Sequence, residues 1–307
     1  MTAIKVGTFN VENLFIRYRF KDNIDPSGAV RDGWDINQTR FEILNDTDKR
    51  ITAKTILEAD ADVLALQEVE NLEVLKRFRS EYLKGTSNYP FALVVDGNDP
   101  RLIDVALLSR LPILHVRSYQ YLRVNNSRSF IFSRDCLEVG LEVTGGTVLT
   151  LFINHLKSMV GGRAATRERR QLQARTVKEI VSDVVGARPA DQPFVVLGDL
   201  NDYPEPDPDG TTTAIEELVK WDQVENVLER LPEKERWTHY FARRNTYRQL
   251  DYLLPSRSLA ANAGQPEVIR KGLPLRADEF EGERFEGIGE DRPKASDHCP
   301  VVLELEL

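Results

Sequence analysis

The sequence predicts an α/β protein in which two β-sheets pack face to face and helices cover their outer faces. Three observations predict this class. Short apolar runs recur along the whole chain, helical patterns are few and lie between these runs, and both ends of the chain read as strands. Some runs alternate with period two, and others are continuously apolar, as expected for strands covered on both faces. Because the predicted strands extend from one end to the other, we expect a single domain over residues 1–307.

Nine apolar runs predict strands. Each is followed by polar or turn-forming residues, which marks its end. The runs are IKVGTFNV (4–11), DVLALQEV (62–69), FALVVD (91–96), DVALLSR (104–110), LEVGLEV (137–143), VLTLFINHL (148–156), FVVLGDLN (194–201), LDYLLPS (250–256) and CPVVLEL (299–305).

Four segments between these runs predict helices, because their apolar residues recur at helical spacing. The first starts at Thr47 or Asp48, either of which is a good N-cap residue. The segments are 47–59, 71–83, 166–185 and 212–230. Glycine, proline and charge mark the remaining stretches as loops. These loops are 17–46, 98–103, 203–212 and 258–294.

The composition is that of an ordinary globular protein, with 41% hydrophobic and 29% charged residues. No apolar run is long enough to span a bilayer, and the N-terminus reads as a first strand rather than a signal peptide. The two cysteines, Cys136 and Cys299, are too few for a disulfide framework. We therefore expect a cytoplasmic protein, with secretion after removal of a leader as the alternative.

The net charge of −8 argues against nucleic-acid binding through positive charge spread over the whole protein surface. It leaves room for a local basic patch. It also fits a site whose carboxylates bind a divalent cation, since such a site adds negative charge of its own.

Polar side chains suited to metal and phosphate chemistry stand at the ends of several predicted strands, where a rigid sheet can hold a site. Taken alone, each has an ordinary explanation as a turn residue, a strand cap or a core histidine. The set is Asn10, Glu68, His155, Asp199, Asn201, Asp251, Asp297 and His298. The oxygen donors of Asn10, Glu68 and Asp297 suit Mg²⁺, Mn²⁺ or Ca²⁺ better than zinc.

Seven motifs in a fixed order give the chain a resemblance to a known family. They are FNVENL, LALQEVE, LLSRLPI, INHLKS, LGDLND, LDYLL and SDHCPV, and they extend from about residue 4 to residue 305. The series resembles the endonuclease/exonuclease/phosphatase superfamily, which includes pancreatic-type DNases and neutral sphingomyelinases. The resemblance implies a DNase I-like fold, a four-layered α/β sandwich of two mixed sheets flanked by helices.

The resemblance also implies a role for each strand-end residue. Glu68 would be the principal ligand of a Mg²⁺ ion (Mn²⁺ or Ca²⁺ as alternatives), with Asn10 beside the ion and Asp297 contributing. The remaining roles are those of hydrolysis: His298 as general base, Asp251 orienting it, Asp199 and Asn201 beside the scissile phosphate, and His155 contacting the phosphate. The first motif reads FNVEN rather than the WN form of many DNA-repair members, so roles for Glu12 and Asn13 stay open.

An arginine-rich stretch, SMVGGRAATRERRQ (158–171), follows the strand that carries His155. Glycines before a helix start can direct arginines and backbone N–H groups at phosphate. We therefore predict that Arg163, Arg167 and Arg170 bind substrate. A solvated helix face, salt-bridged with Glu168, is the alternative.

Three functions are compatible with these residues. The leading one is a metal-dependent nuclease with DNA or RNA as substrate, acting as a monomer without stable membrane association. The second is a phosphatase or phosphodiesterase for a small molecule or lipid headgroup, which the acidic balance favours. The third is a binding module without catalysis, whose expected sign would be a missing catalytic residue; none of the core positions is missing.

Overall fold

A computed structural model gives the architecture and describes residues 2–25, 36, 40–125, 127–143 and 145–307. The strands are β1 (Ala3–Leu14), β2 (Tyr18–Phe20), β3 (Phe41–Ile43), β4 (Val63–Val69), β5 (Phe91–Val95), β6 (Asp104–Ser109), β7 (Ile113–Ser118), β8 (Cys136–Glu142), β9 (Val148–His155), β10 (Phe194–Asp199), β11 (His239–Phe241), β12 (Thr246–Arg248), β13 (Asp251–Pro255), β14 (Glu267–Val268) and β15 (Val301–Glu306). The helices are α1 (Asp46–Ala59), α2 (Leu72–Tyr82), α3 (Arg163–Val185), α4 (Glu216–Val219) and α5 (Arg257–Ala261).

Two large sheets organise these strands. One has six strands in the order β14-β15-β1-β4-β6-β5, and the other has five in the order β13-β10-β9-β8-β7. Both are mixed, because β1 pairs with β4 and β10 pairs with β9 in parallel while their other neighbours are antiparallel. Two small hairpins, β2-β3 and β11-β12, lie outside the large sheets.

Three apolar clusters stack these elements into four layers. The first lies between the sheets, where alternate residues of β1, β4 and β6 meet those of β8, β9 and β10. The second packs the outer face of the six-stranded sheet against α1 and α2. The third packs the outer face of the five-stranded sheet against α3. The predicted four-layered sandwich is therefore confirmed, since a strand buried on both faces needs a layer on each side.

Several predicted elements differ in extent. The helix expected over 212–230 is only α4 followed by a 3₁₀ turn at Val227–Arg230, because Val224 leaves the helical path to bridge Ser256. The predicted loop 17–46 contains the β2-β3 hairpin, and part of it lies outside the described residues. Strand β7 was not predicted; it is an edge strand whose central residues are exposed on both faces.

No described helix has the length and apolar character needed to cross a membrane. Both cysteines are buried and free.

Candidate active site

The register of the five-stranded sheet lines up three predicted site residues. In β10, Asp199 is paired with His155 of β9 on one side and with Asp251 of β13 on the other. Residues paired across neighbouring strands point to the same face, so the three side chains stand in a row at one end of the sheet. Gly198 permits this close packing, because with a φ of +131° a Cβ there would lie 2.0 Å from the carbonyl oxygen of Asn154.

The six-stranded sheet brings Asn10 and Glu68 to the same place from the opposite side. Asn10 of β1 shares its face with the apolar residues between the sheets, and its Nδ2 crosses to Oδ2 of Asp199 at 3.0 Å. Glu68 sits where the pairing of β4 is bulged, with a left-handed φ of 66°. Its carboxylate accepts Asn10 Nδ2 at 3.3 Å and the backbone N–H of Asn13 at 3.0 Å. A left-handed glutamate is strained, and such strain is concentrated at functional sites.

The C-terminal Ser-Asp-His triplet closes the row. Ser296 donates its hydroxyl to the carbonyl oxygen of Asn10 at 2.7 Å and accepts the backbone N–H of His298 at 3.0 Å. This tie places the His298 ring against Asp251, with 2.8 Å between Nδ1 and Oδ2. The other ring nitrogen, Nε2, lies 3.9 Å from Oδ2 of Asp199. All eight predicted strand-end residues thus border one end of the space between the sheets.

Asp199 is the centre of the polar network. Its Oδ2 accepts the side-chain amides of Asn10 and Asn201 at 3.0 and 2.9 Å, and its Oδ1 accepts the backbone N–H of Asn201 at 2.8 Å. His155 Nε2 lies 3.5 Å from the same carboxylate. Burial raises the pKa of Asp199 to about 7; the neighbouring charge of Asp251 adds to the rise, and the charge of His298 opposes it.

The surroundings of His298 and His155 shift the pKa values of the two side chains in opposite directions. Burial alone would lower the pKa of His298, but the carboxylates of Asp251 and Asp199 outweigh it and raise that pKa well above its usual value. Burial lowers the pKa of His155 well below its usual value, and the positive charges of Arg134 and His298 lower it further. When the His298 ring is neutral, its proton lies on Nδ1, which faces the Asp251 carboxylate, and Nε2 presents its lone pair to the cleft.

A family model with the description "Endonuclease/Exonuclease/phosphatase family" matches residues 5–306. The chain belongs to this family. The match covers nearly the whole chain, so it includes both sheets and the positions of all the strand-end residues described above.

Solved structures show the same fold at low sequence identity. The human Nocturnin catalytic domain with bound sulfate anion has a TM-score of 0.62 and 16% identity, covering 99% of this chain and 94% of that chain. An endonuclease/exonuclease/phosphatase family protein from Bacteroides thetaiotaomicron has a TM-score of 0.62 and 16% identity, covering 99% and 98%. The mannosyl-6-phosphatase Bt3783 of B. thetaiotaomicron VPI-5482 has a TM-score of 0.58 and 15% identity, covering 99% and 100%. No curated protein sequence matches the chain.

The donor set of this family member fits a hard divalent cation beside Glu68. The side chains of Glu68 and Asp297 are 19% and 33% exposed, so both carboxylates reach the cleft. Burial raises the pKa of Glu68; His298 opposes the rise, and the negative charge of Asp297 adds to it. Two carboxylates that repel each other are relieved by a cation between them, and Asn10 supplies a neighbouring amide.

Among the described residues, two groups of three ligand-type side chains have their ligand atoms within 4.8 Å of one another. They are His239, Asp297 and His298, and Asp199, Asp251 and His298. Both use His298, whose Nδ1 is already bonded to Asp251. The second group also lacks exposure, since Asp199 and Asp251 are buried. We therefore favour Glu68 and Asp297 as the metal carboxylates.

Sequence reasoning missed three residues at this family site. Thr238 donates its hydroxyl to Oδ2 of Asp251 at 2.7 Å, and the His239 ring lies 4.5 Å from that of His298 while its Nε2 is 3.7 Å from Asp297. Arg134 is buried and donates to the carbonyl oxygen of Leu156, next to His155. A threonine, a histidine and an arginine outside the strand-end pattern gave no periodic signal. The His239 position had one cue, an imidazole just upstream of the LDYLL run.

The arginines predicted to bind substrate are placed differently from that prediction. Arg163 and Arg170 are buried and donate to the two oxygens of Asp202, at 2.7 and 3.0 Å. Arg167 donates to the carbonyl oxygens of Thr212 and Thr213. The geometry therefore contradicts substrate contact by Arg163 and Arg170. Their donors hold α3 against the loop after β10, and a buried carboxylate such as Asp202 requires them.

Proposed function

We propose that this protein is a metal-dependent phosphodiester hydrolase that cleaves DNA or RNA. The observation that carries the proposal is the placement of His298. Its Nδ1 is bonded to Asp251, while its Nε2 faces a cleft bordered by Asp199, Glu68 and Asp297. An imidazole held in this way beside metal-type carboxylates is suited to activating water rather than to binding alone.

His298 acts as the general base in this proposal. The Asp251 carboxylate fixes the tautomer, so Nε2 can take a proton from water, and the same carboxylate stabilises the imidazolium that forms. Thr238 keeps the carboxylate in place through its hydroxyl. A serine-hydrolase mechanism is disfavoured, because the Ser296 hydroxyl already donates to the Asn10 carbonyl oxygen and accepts the His298 backbone N–H.

The side chains around Asp199 position the phosphate and the water. Asn201 and Asn10 supply amide N–H groups, and His155 supplies an imidazole whose lowered pKa keeps it neutral. The side-chain amides of Asn10 and Asn201 donate to Asp199 in this structure. A bound phosphate oxygen would replace Asp199 as the acceptor of some of these hydrogen bonds. Asp199 is buried and rigidly bonded, so we give it the role of orienting these donors and the attacking water.

Glu68, Asp297 and Asn10 would hold the divalent cation, with Mg²⁺ favoured and Mn²⁺ or Ca²⁺ as alternatives. When bound there, the cation supplies polarisation of the phosphate and stabilisation of the leaving oxygen. The chain's own contribution is geometric, since Asn10 and the backbone N–H of Asn13 fix the Glu68 carboxylate.

A phosphatase acting on a small phosphate ester is the second candidate. The net charge of −8 favours a small substrate over a long polyanion, and a structural neighbour is a mannosyl-6-phosphatase. The sulfate anion bound to another neighbour, Nocturnin, resembles phosphate in shape and charge and supports a phosphoester substrate in either case.

A substrate panel separates the two candidates. We expect the wild-type protein with Mg²⁺ or Mn²⁺ to cleave plasmid DNA, single-stranded DNA or RNA, and bis-p-nitrophenyl phosphate, and His298→Ala to lose this activity. Turnover of p-nitrophenyl phosphate or a sugar phosphate with no cleavage of any diester would replace the nuclease proposal with the phosphatase. Equal rates in the wild type and His298→Ala would remove His298 as the base.

A further inference from the structure

A cluster of cations on the rim of the cleft is not used by the reaction described above. It consists of Arg101, Arg134 and Lys157 around the carboxylate of Asp99, and we call it the rim cluster. Among the described residues, Asp99 is the one carboxylate that forms an ion pair with any of these three cations. Arg101 and Arg134 therefore share one carboxylate, and Lys157 forms no ion pair among the described residues, on a chain whose net charge is −8.

The backbone places the rim cluster at the catalytic end of both sheets. Asp104, which opens β6, is paired with Val69, the residue after Glu68, so the loop carrying Asp99 and Arg101 ends beside the metal-type carboxylate. On the other sheet, Lys157 follows His155 by two residues. Both cations thus emerge at strand ends that carry site residues.

A chain of hydrogen bonds joins the two sides of the rim cluster. Arg101 binds Asp99 through two nitrogens, Nε at 3.0 Å and Nη2 at 2.8 Å. Asp99 also accepts Nη1 of the buried Arg134 at 3.2 Å, and Arg134 donates to the carbonyl oxygen of Leu156, which also accepts Asn201 Nδ2 at 3.3 Å. Through Asp99 and the Leu156 carbonyl, Arg134 thus connects Arg101 to Asn201, which is placed beside the phosphate.

Two donors of the rim cluster are left for a ligand. The Arg101 side chain is 58% exposed, and its Nη1 has no hydrogen-bond acceptor among the described residues. Lys157 Nζ donates only to the carbonyl and hydroxyl of Ser158 there and meets no carboxylate. The charges of Arg134 and Arg101, after burial, lower the pKa of Lys157, which agrees with cations crowded on one rim.

We infer that Arg101 and Lys157 bind a second, non-scissile phosphate of a nucleic-acid strand whose scissile phosphate lies beside Asp199 and His298. This inference rests on the proposed function and narrows it to substrates with more than one phosphate. A guanidinium and an ammonium on one rim form charge-assisted hydrogen bonds to phosphate oxygens without reading a base. Strand binding then depends on local charge, which explains how an acidic protein holds a polyanion.

Binding to a fluorescein-labelled ten-nucleotide DNA tests the inference, with an RNA of the same length in parallel. Fluorescence anisotropy is measured with Mg²⁺ in the His298→Ala background, across a series of salt concentrations. Arg101→Gln/Lys157→Gln is compared with Arg188→Gln/Lys220→Gln, which removes the same charge. Arg188 and Lys220 are 82% and 71% exposed, and Arg188 precedes β10, at the end opposite to Asp199.

We expect the rim double variant to bind at least tenfold more weakly than the control double variant. Its plot of log Kd against log salt should be shallower by about 0.7 for each phosphate that the protein no longer neutralises. We expect each substitution to leave the surrounding structure folded. Asp99 keeps its ion pair with Arg134, and the backbone N–H of Lys157 keeps its hydrogen bond to the side chain of Gln173. Thermal unfolding checks that point.

Kd values and salt slopes that match those of the control variant would overturn the inference, as would undetectable binding by the His298→Ala parent at about 50 mM salt. The proposed function fails separately. Wild-type protein that hydrolyses neither the oligonucleotides nor thymidine 5′-(p-nitrophenyl phosphate) with Mg²⁺ or Mn²⁺ is not a phosphodiesterase, whatever the anisotropy shows.

Discussion

Replacing Asp251 by asparagine changes the charge behind His298 and leaves the shape almost unchanged. Oδ2 of Asp251 accepts both Thr238 Oγ1 at 2.7 Å and His298 Nδ1 at 2.8 Å. Its Oδ1 is buried without a hydrogen-bond partner among the described residues. An amide nitrogen in place of Oδ2 would donate to Nδ1 and move the ring proton to Nε2, so the lone pair would no longer face the cleft. An amide oxygen there would keep the tautomer and remove the charge that stabilises the imidazolium.

Both orientations of the introduced amide impair the general base, whose contribution to catalysis is typically about 10²–10⁴-fold. We therefore expect kcat/KM of Asp251→Asn for bis-p-nitrophenyl phosphate to fall by about 10²–10⁴, or about 2.7–5.4 kcal/mol in the activation barrier. Stability should change much less. A buried charge is removed, which is favourable, while one amide donor is left unpaired at a cost of about 1–3 kcal/mol.

The assay is steady-state hydrolysis with Mg²⁺, with thermal unfolding by circular dichroism on the same samples. Asp222→Asn is the matched control, because Asp222 is exposed and its side chain bonds only its neighbour Gln223 among the described residues. A kcat/KM within about threefold of wild type in a folded Asp251→Asn protein would refute the dyad. Loss of the folded state would instead show that Asp251 is needed for the sheet.

Four further outcomes follow from interactions elsewhere. Asp202→Ala should lower the free energy of unfolding by about 3–5 kcal/mol in urea titrations, because Arg170 is left buried without an ion pair and Arg163 keeps only its longer ion pair with Asp207. Thr238→Val should reduce kcat with little change in KM in the bis-p-nitrophenyl phosphate assay, since the Asp251 carboxylate loses one donor. Burial raises the pKa of Asp104 to about 6, so its stabilising contribution is present below about pH 4 and disappears as the pH rises through 6; in urea titrations at several pH values, Asp104→Asn should lose less stability than wild type over that interval. Excess EDTA should abolish hydrolysis, and added Mg²⁺ or Mn²⁺ should restore it in the same assay.

Most of the fold was readable from local sequence signals, and so was the set of strand-end residues that the structure brings together. Continuous apolar runs marked the strands of both central sheets, and polar residues directly after them marked the strand ends. Since Asp199 pairs with His155 and with Asp251 in register, side chains at neighbouring strand ends had to meet. Edge strand β7 and the short extent of helix α4 were not read from the sequence. The central residues of β7 are exposed, and the chain after α4 is held by the bridge between Val224 and Ser256.

The cationic residues show where local reasoning fails. Nothing in SMVGGRAATRERRQ tells whether an arginine points outward or inward, and the answer depends on Asp202, which folds back from another segment. The same limit hid Arg101, which lies in the predicted loop 98–103. A guanidinium's role is set by the acceptors that long-range packing brings to it, and these cannot be read from spacing along the chain.

The proposed reaction depends on one cation site between Glu68 and Asp297, next to the His298 ring. Anomalous scattering from crystals soaked in Mn²⁺ tests it most directly. We predict a peak at coordination distance, about 2.0–2.6 Å, from carboxylate oxygens of Glu68 and Asp297, and its disappearance in Glu68→Gln. A peak held instead by His239 and His298, or no peak near Glu68 at saturating Mn²⁺, would contradict the account.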